Sequence, residues 1–173
     1  DEMFHRLPNL RVIIVKDSPA IMSPLKLPGA AMTTDSQLTA MWLEGMAIEA
    51  IPKEIGMLRE TLSIVVIKGS ALRDVPRELG DCVKIGILYL NDNALSFVPS
   101  ELGRLALLAT LELGGNRLTS LPDELGSLTN MQVLRLSNNR LGALPTTFAQ
   151  MLSLRGLNVA ANRFTAIPVL SFN

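Results

Sequence analysis

The sequence predicts an α/β chain wound as a right-handed solenoid of about seven units, each about 23 residues long. Each unit is expected to place one parallel strand on a concave face and a short 3₁₀ or helical turn on a convex face. Three observations carry this. Pro52, Pro76, Pro99, Pro122, Pro145 and Pro168 are separated by 24, 23, 23, 23 and 23 residues. The stretch Leu108 to Asn130, LATLELGGNRLTSLPDELGSLTN, is followed by Met131 to Ser153, MQVLRLSNNRLGALPTTFAQMLS, in the same order of residue types. Both open on LxxLxL, reach an Asn and then turn through LP, and a fixed period in the twenties with that grammar marks a stacked array.

Units start at Leu10, Leu38, Leu62, Ile85, Leu108, Met131 and Leu154. Residues 10–173 read as a single domain, and residues 1–9 as the tail of a preceding repeat or a frayed terminus, with Phe4 and Leu7 spaced like Phe148 and Met151. Unit one is the least regular. Pro24 lies 28 residues before Pro52, which implies an insertion within 21–37 that also holds Pro28 and Gly29. Unit two runs one residue long and carries Met46 where the Asn belongs, and unit three carries Ser70 there. Unit seven ends at Asn173 on VLSFN, which does not read as a polar cap, so more chain or a partner is expected to cover that end. The chain begins at Asp1 without an initiator Met and reads as processed or trimmed.

Each slot has a physical task. The apolar positions of LxxLxL point inward and stack on their equivalents, giving one row Ile13, Met41, Val65, Leu88, Leu111, Leu134, Leu157 and another Val15, Leu43, Ile67, Leu90, Leu113, Leu136, Val159. Asn93, Asn116, Asn139 and Asn162 are expected to form a structural ladder, their amides satisfying buried backbone groups of adjoining units. Ser70 can do part of this and Met46 none, so looser backbone bonding is expected around unit two. After LP, the strings PKEIG, PRELG, PSELG and PDELG put Glu54, Glu78, Glu101 and Glu124 in the first turn of a short helix, favoured there by the helix dipole.

This constellation resembles the leucine-rich repeat family, and its LPxxLGxL units are similar to the intracellular Ras-binding and Scribble-Erbin-like type. The resemblance covers Leu10 to Pro168. It implies a protein-binding solenoid and leaves the partner open, whether small GTPase, phosphatase or signalling adaptor.

Composition narrows the function classes. Formal net charge is +0 and charged residues make up 18%, so no global field points to nucleic acid. No apolar run approaches the length of a membrane span. A single cysteine, Cys82, and the absence of any N-x-S/T acceptor favour a reducing, intracellular setting, cytoplasmic first, with organelle import open. No catalytic residue, cofactor or metal site is expected. His5 is the only histidine and reads as a surface residue, Cys82 occupies an apolar core slot, and Gly114-Gly115 lacks any phosphate-loop context.

The outward strand positions are the informative ones. The central series is Ile14, Trp42, Val66, Tyr89, Glu112, Arg135, Asn158, and the one before it is Val12, Ala40, Ile64, Ile87, Thr110, Val133, Gly156. The first four units are apolar outside and the last three small or polar. We therefore expect partner contact at Ile14, Trp42, Ile64, Val66, Ile87 and Tyr89, rimmed by Lys16, Glu44, Lys68 and Asp92. The bland reading is β-propensity or cover by another part of the polypeptide. Arg117, Arg140 and Arg163, each following a ladder Asn, form a secondary basic strip, either a docking edge for an acidic segment or a solvated edge. The expectation is a non-catalytic protein-protein interaction module. One alternative is a structural subunit of a large multiprotein assembly, consistent with a mean hydropathy of +0.32. The other is the substrate-recognition domain of a longer enzyme such as a ubiquitin ligase or kinase.

Overall fold

The computed structural model describes residues 9–16, 32, 33 and 35–165. Phe4, His5, Leu7, most of the 21–37 insertion and the end of unit seven from residue 166, Pro168 included, lie outside the described residues. The strands are β1 (Val12–Lys16), β2 (Ala40–Glu44), β3 (Ile64–Lys68), β4 (Ile87–Tyr89), β5 (Thr110–Glu112), β6 (Val133–Arg135) and β7 (Gly156–Asn158). They form one seven-stranded sheet in sequence order, every neighbour parallel.

The register follows from the leucine spacing. Ile13, Met41, Val65, Leu88, Leu111, Leu134 and Leu157 pair across all seven strands. The five interior members are buried, while Ile13 and Leu157, with a neighbouring unit on one side only, are half-buried. One apolar core runs through the described units from Met32 to Met151.

The Asn ladder closes the far end of each strand. Asn116 accepts from the Leu95 amide at 3.0 Å and donates to the Leu90 carbonyl at 2.9 Å and the Leu113 carbonyl at 3.0 Å. Asn93, Asn139 and Asn162 repeat this pattern, each accepting from a backbone amide and donating to carbonyls of the preceding unit and its own. Ser70 does not: its hydroxyl reaches only the Lys68 carbonyl of its own turn, at 3.4 Å, and the Ile48 amide bonds locally to the Met46 carbonyl instead. Backbone rungs here are longer. Gly45 to Lys68, Gly69 to Asn91 and Ala71 to Ile48 measure 3.1, 3.2 and 3.2 Å, against 2.8 to 2.9 Å for the equivalent rungs of the later units.

Immediately before the ladder slot stands a column the sequence does not announce. Gly45, Gly69, Asp92, Gly115, Asn138 and Ala161 all adopt φ between 54° and 67°. Gly, Asp and Asn enter this left-handed region readily, whereas alanine there costs on the order of 1–2 kcal/mol.

The convex turns are 3₁₀: Lys53–Leu58, Arg77–Asp81, Ser100–Arg104, Asp123–Ser127 and Thr146–Gln150. Each proline stands just outside its turn in an extended conformation, and its carbonyl accepts from the amide three residues on, at 3.1 to 3.2 Å. The glycine after Leu sets how closely the turns stack. A Cβ on Gly80 or Gly103 would lie 2.3 Å from the carbonyl oxygen of Glu101 or Glu124. At Gly56 the nearest atom would be 3.1 Å away, so the seam between units two and three is also wider on this side.

Candidate functional site

Strand alternation sends residues 14, 42, 66, 89, 112, 135 and 158 to the outer face in one paired row, and residues 12, 40, 64, 87, 110, 133 and 156 in a second. Val12 and Ile14 on β1 are the most open, at 48% and 62% exposure. Trp42, Ile64, Ile87 and Tyr89 are half-buried and continue the apolar surface over four strands.

Trp42 is the best-held side chain of this face. Its Nε1 donates to Glu44 Oε2 at 3.2 Å, and the ammonium groups of Lys16 and Lys68 lie 4.6 and 5.9 Å from its ring centroid, within cation–π range. Glu44 in turn lies 2.8 Å from Lys68 Nζ and 3.7 Å from Lys16 Nζ. The bond from Lys68, and then that from Trp42, hold the Glu44 carboxyl below its ordinary range, and the Glu44 bond raises the Lys68 ammonium. An indole bonded through its N–H and held over its ring by two ammonium groups has little conformational entropy to lose on binding.

Two expectations are corrected. Val66 sits in the outward row but is fully buried. A short valine set in register between Trp42 and Tyr89 lies below the level of both rings, so it forms the floor of the face and offers no contact surface. The fourth member of the rim is Asn91, not Asp92. The Gly69 amide bonds to the Asn91 carbonyl, and Asp92 belongs to the left-handed column, where its carboxylate bonds the Asn91 side chain at 2.7 Å.

Beyond unit four the face turns polar. Arg135 donates to Glu112 across adjacent strands, and Asn158 and Gly156 complete the rows. On the lateral edge the same boundary appears. Ala71 and Ala94 give way to Arg117, Arg140 and Arg163, whose amides bond to the Leu95, Leu118 and Leu141 carbonyls at 2.8, 2.8 and 2.9 Å. All three arginines are exposed.

Reactive chemistry finds little purchase elsewhere. Cys82 is fully buried, its thiol on the Ile55 carbonyl at 3.3 Å, and burial, then Asp81, pushes it up to about 12. A thiol at that value is not a nucleophile at neutral pH. Among the described residues no group of three or more His, Cys, Asp or Glu is placed to hold a metal ion. The wider convex seam leaves a cleft of about 330 Å³ between Lys53, Glu54, Met57, Arg59, Glu78 and Asp81, whose charges are mixed in sign. No helix among the described residues is long and apolar enough to cross a membrane.

Residues 106–164 match the model of a family described as Leucine rich repeat. No curated protein matches the sequence. Among solved structures, the chain is similar to a TDR receptor at 27% identity and a TM-score of 0.73, over 82% of this chain and 25% of that one. It is similar to a plant ice-binding protein at 26% identity and a TM-score of 0.71, over 87% and 56%. A third is the LRR ectodomain of the receptor kinase SOBIR1 from Arabidopsis thaliana, at 28% identity and a TM-score of 0.60, over 68% and 67%. The chain thus spans a quarter of the length of the TDR receptor chain it resembles.

Proposed function

We propose that the chain, a leucine-rich repeat solenoid, is a non-catalytic recognition module that binds a protein partner through the apolar N-terminal half of its concave face. Ile14, Trp42, Ile64, Ile87 and Tyr89 make the contact over a floor of Val66. The observation that carries this reading is the clamped Trp42, the chain's only tryptophan, held by Lys16, Glu44 and Lys68 at the centre of an apolar surface. Rigid aromatic anchors ringed by polar groups are the residues that dominate binding energy at protein interfaces. The single cysteine and the LPxxLG strings support an intracellular setting of the Ras-binding or Scribble-Erbin-like type.

The experiment is affinity capture from native extract, read by mass spectrometry, with the wild-type chain beside a Trp42→Ser/Tyr89→Ser variant of unchanged circular dichroism. Loss of a specific partner in the variant supports the reading. An identical set of captured proteins overturns it.

A second reading, a subunit packed on several sides in a larger assembly, is favoured by Met57, Val83, Phe97, Leu107 and Leu152, which are 42 to 74% exposed away from the strand face. A purified chain that elutes as a stable monomer on size exclusion rejects it. The similar SOBIR1 structure is the ectodomain of a receptor kinase and lends support to a third, the recognition part of a longer enzyme.

A further inference from the structure

Stacked charges in this solenoid alternate in sign at three places. Lys16, Glu44 and Lys68 pair along the strand face, Glu112 pairs with Arg135, and Asp81 pairs with Arg104 across the convex turns. The convex column Glu54, Glu78, Glu101 and Glu124 breaks that habit at turn N-termini, where the dipole favours a carboxylate. A second column breaks it without that support. Arg117, Arg140 and Arg163 occupy the same slot in three successive units, tied into register by consecutive backbone rungs. None of the three is in an ion pair among the described residues. Neighbouring parallel strands lie about 4.8 Å apart, and like charges set directly opposite one another are destabilising.

The turns of the column supply no counter-charge of their own, and Asp92 of the preceding unit lies against Gly115 at its first turn. The turns that carry it read LGGNRLTSL from Leu113, LSNNRLGAL from Leu136 and VAANRFT from Val159, without one carboxylate. They supply neutral hydrogen-bonding groups instead, on Thr119, Asn138 and Thr165. A local charge of three, in a chain whose formal net charge is +0, is thus concentrated on one lateral edge of the polar half.

We propose that Arg117, Arg140 and Arg163 form a second docking edge that takes an extended protein segment rich in acidic side chains. Alternate side chains of an extended strand project to one side about 7 Å apart. Long arginine side chains fan over that spacing, and each guanidinium gains charge-assisted hydrogen bonds to a carboxylate. Bound carboxylates also remove the like-charge repulsion within the column. A nucleic acid strand is the poorer fit. Phe164, the aromatic residue of these turns, packs against the core and offers bases no stacking platform. The site is distinct from the apolar face and stands or falls separately from it.

The test is fluorescence anisotropy with a fluorescein-labelled peptide of alternating glutamate and serine, beside the same peptide with glutamine. The expected result is binding of the acidic peptide alone, weakened by salt and lowered roughly tenfold or more by Arg140→Glu. Trp42→Ser, which breaks the apolar face, is expected to leave this binding unchanged. Circular dichroism of Arg140→Glu confirms the fold, and Arg117→Ala gives a smaller loss in the same direction. Absence of acidic-peptide binding overturns the proposal, as does binding indifferent to Arg140→Glu. A single-stranded oligonucleotide bound as tightly, with the same dependence on Arg140, also overturns it, since the edge would then be a general polyanion surface.

Discussion

Trp42 donates its indole N–H to Glu44 Oε2 at 3.2 Å, so the single tryptophan of the chain reads the charge state of one carboxylate. Lys68 and Trp42 both hold that carboxyl below the ordinary glutamate value of 4.5. A depressed folded-state value means that the stabilising contribution is present above the unfolded value and is lost as pH falls through the folded one. Tryptophan fluorescence is therefore expected to titrate with a midpoint below 4.5, and Glu44→Gln to abolish the step. A midpoint at or above the ordinary value would mean the clamp does not persist in solution.

Convex stacking gives a second prediction. Gly103→Ala places a methyl group against the Glu124 backbone at 2.3 Å, a contact that only a shift of the neighbouring turn relieves. Overpacking of this kind costs about 1–3 kcal/mol, and backbone on the receiving side puts this case at the upper end. Gly142→Ala meets nothing within 4 Å. Urea unfolding should show a clear fall in midpoint for the first and almost none for the second, and equal midpoints would refute the stacking account.

The ladder makes a graded prediction. Asn116→Ala orphans the Leu95 amide, at about 1–3 kcal/mol for a buried group left unsatisfied. The Leu90 and Leu113 carbonyls each lose one donor and keep another, from Asn93 and Asn139. Ser70→Ala loses one 3.4 Å contact within its own turn and should be close to neutral. Comparable losses from both variants would show that the ladder is not what ties the units together.

Much of the fold was legible because one sentence is repeated. The spacing of Leu88, Leu111 and Leu134 fixed the strand register, and the prolines marked each convex turn. Alternation along a strand gives the side of the sheet and not the depth, which is why Val66 was expected at the surface and lies beneath it. The left-handed column is not legible in the sequence because glycine, aspartate, asparagine and alanine share it, so no single letter marks the slot. The clamp on Trp42 spans three units and depends on how Lys16 and Lys68 lean, which strand periodicity does not encode.

The gap in the ladder at Met46 and Ser70 has a consequence for cooperativity. In a quasi-one-dimensional array each unit is stabilised by its own contacts and by coupling to its nearest neighbours. At this seam the coupling is lost on the ladder side while β2 and β3 stay paired over five residues, so opening there starts from the turn. Amides of β2 and its turn should exchange with solvent by sub-global unfolding, ahead of those in β4 to β6, which share the global transition. The clamped indole thus rides on the more compliant block, and a ligand gripping it would tighten that block first.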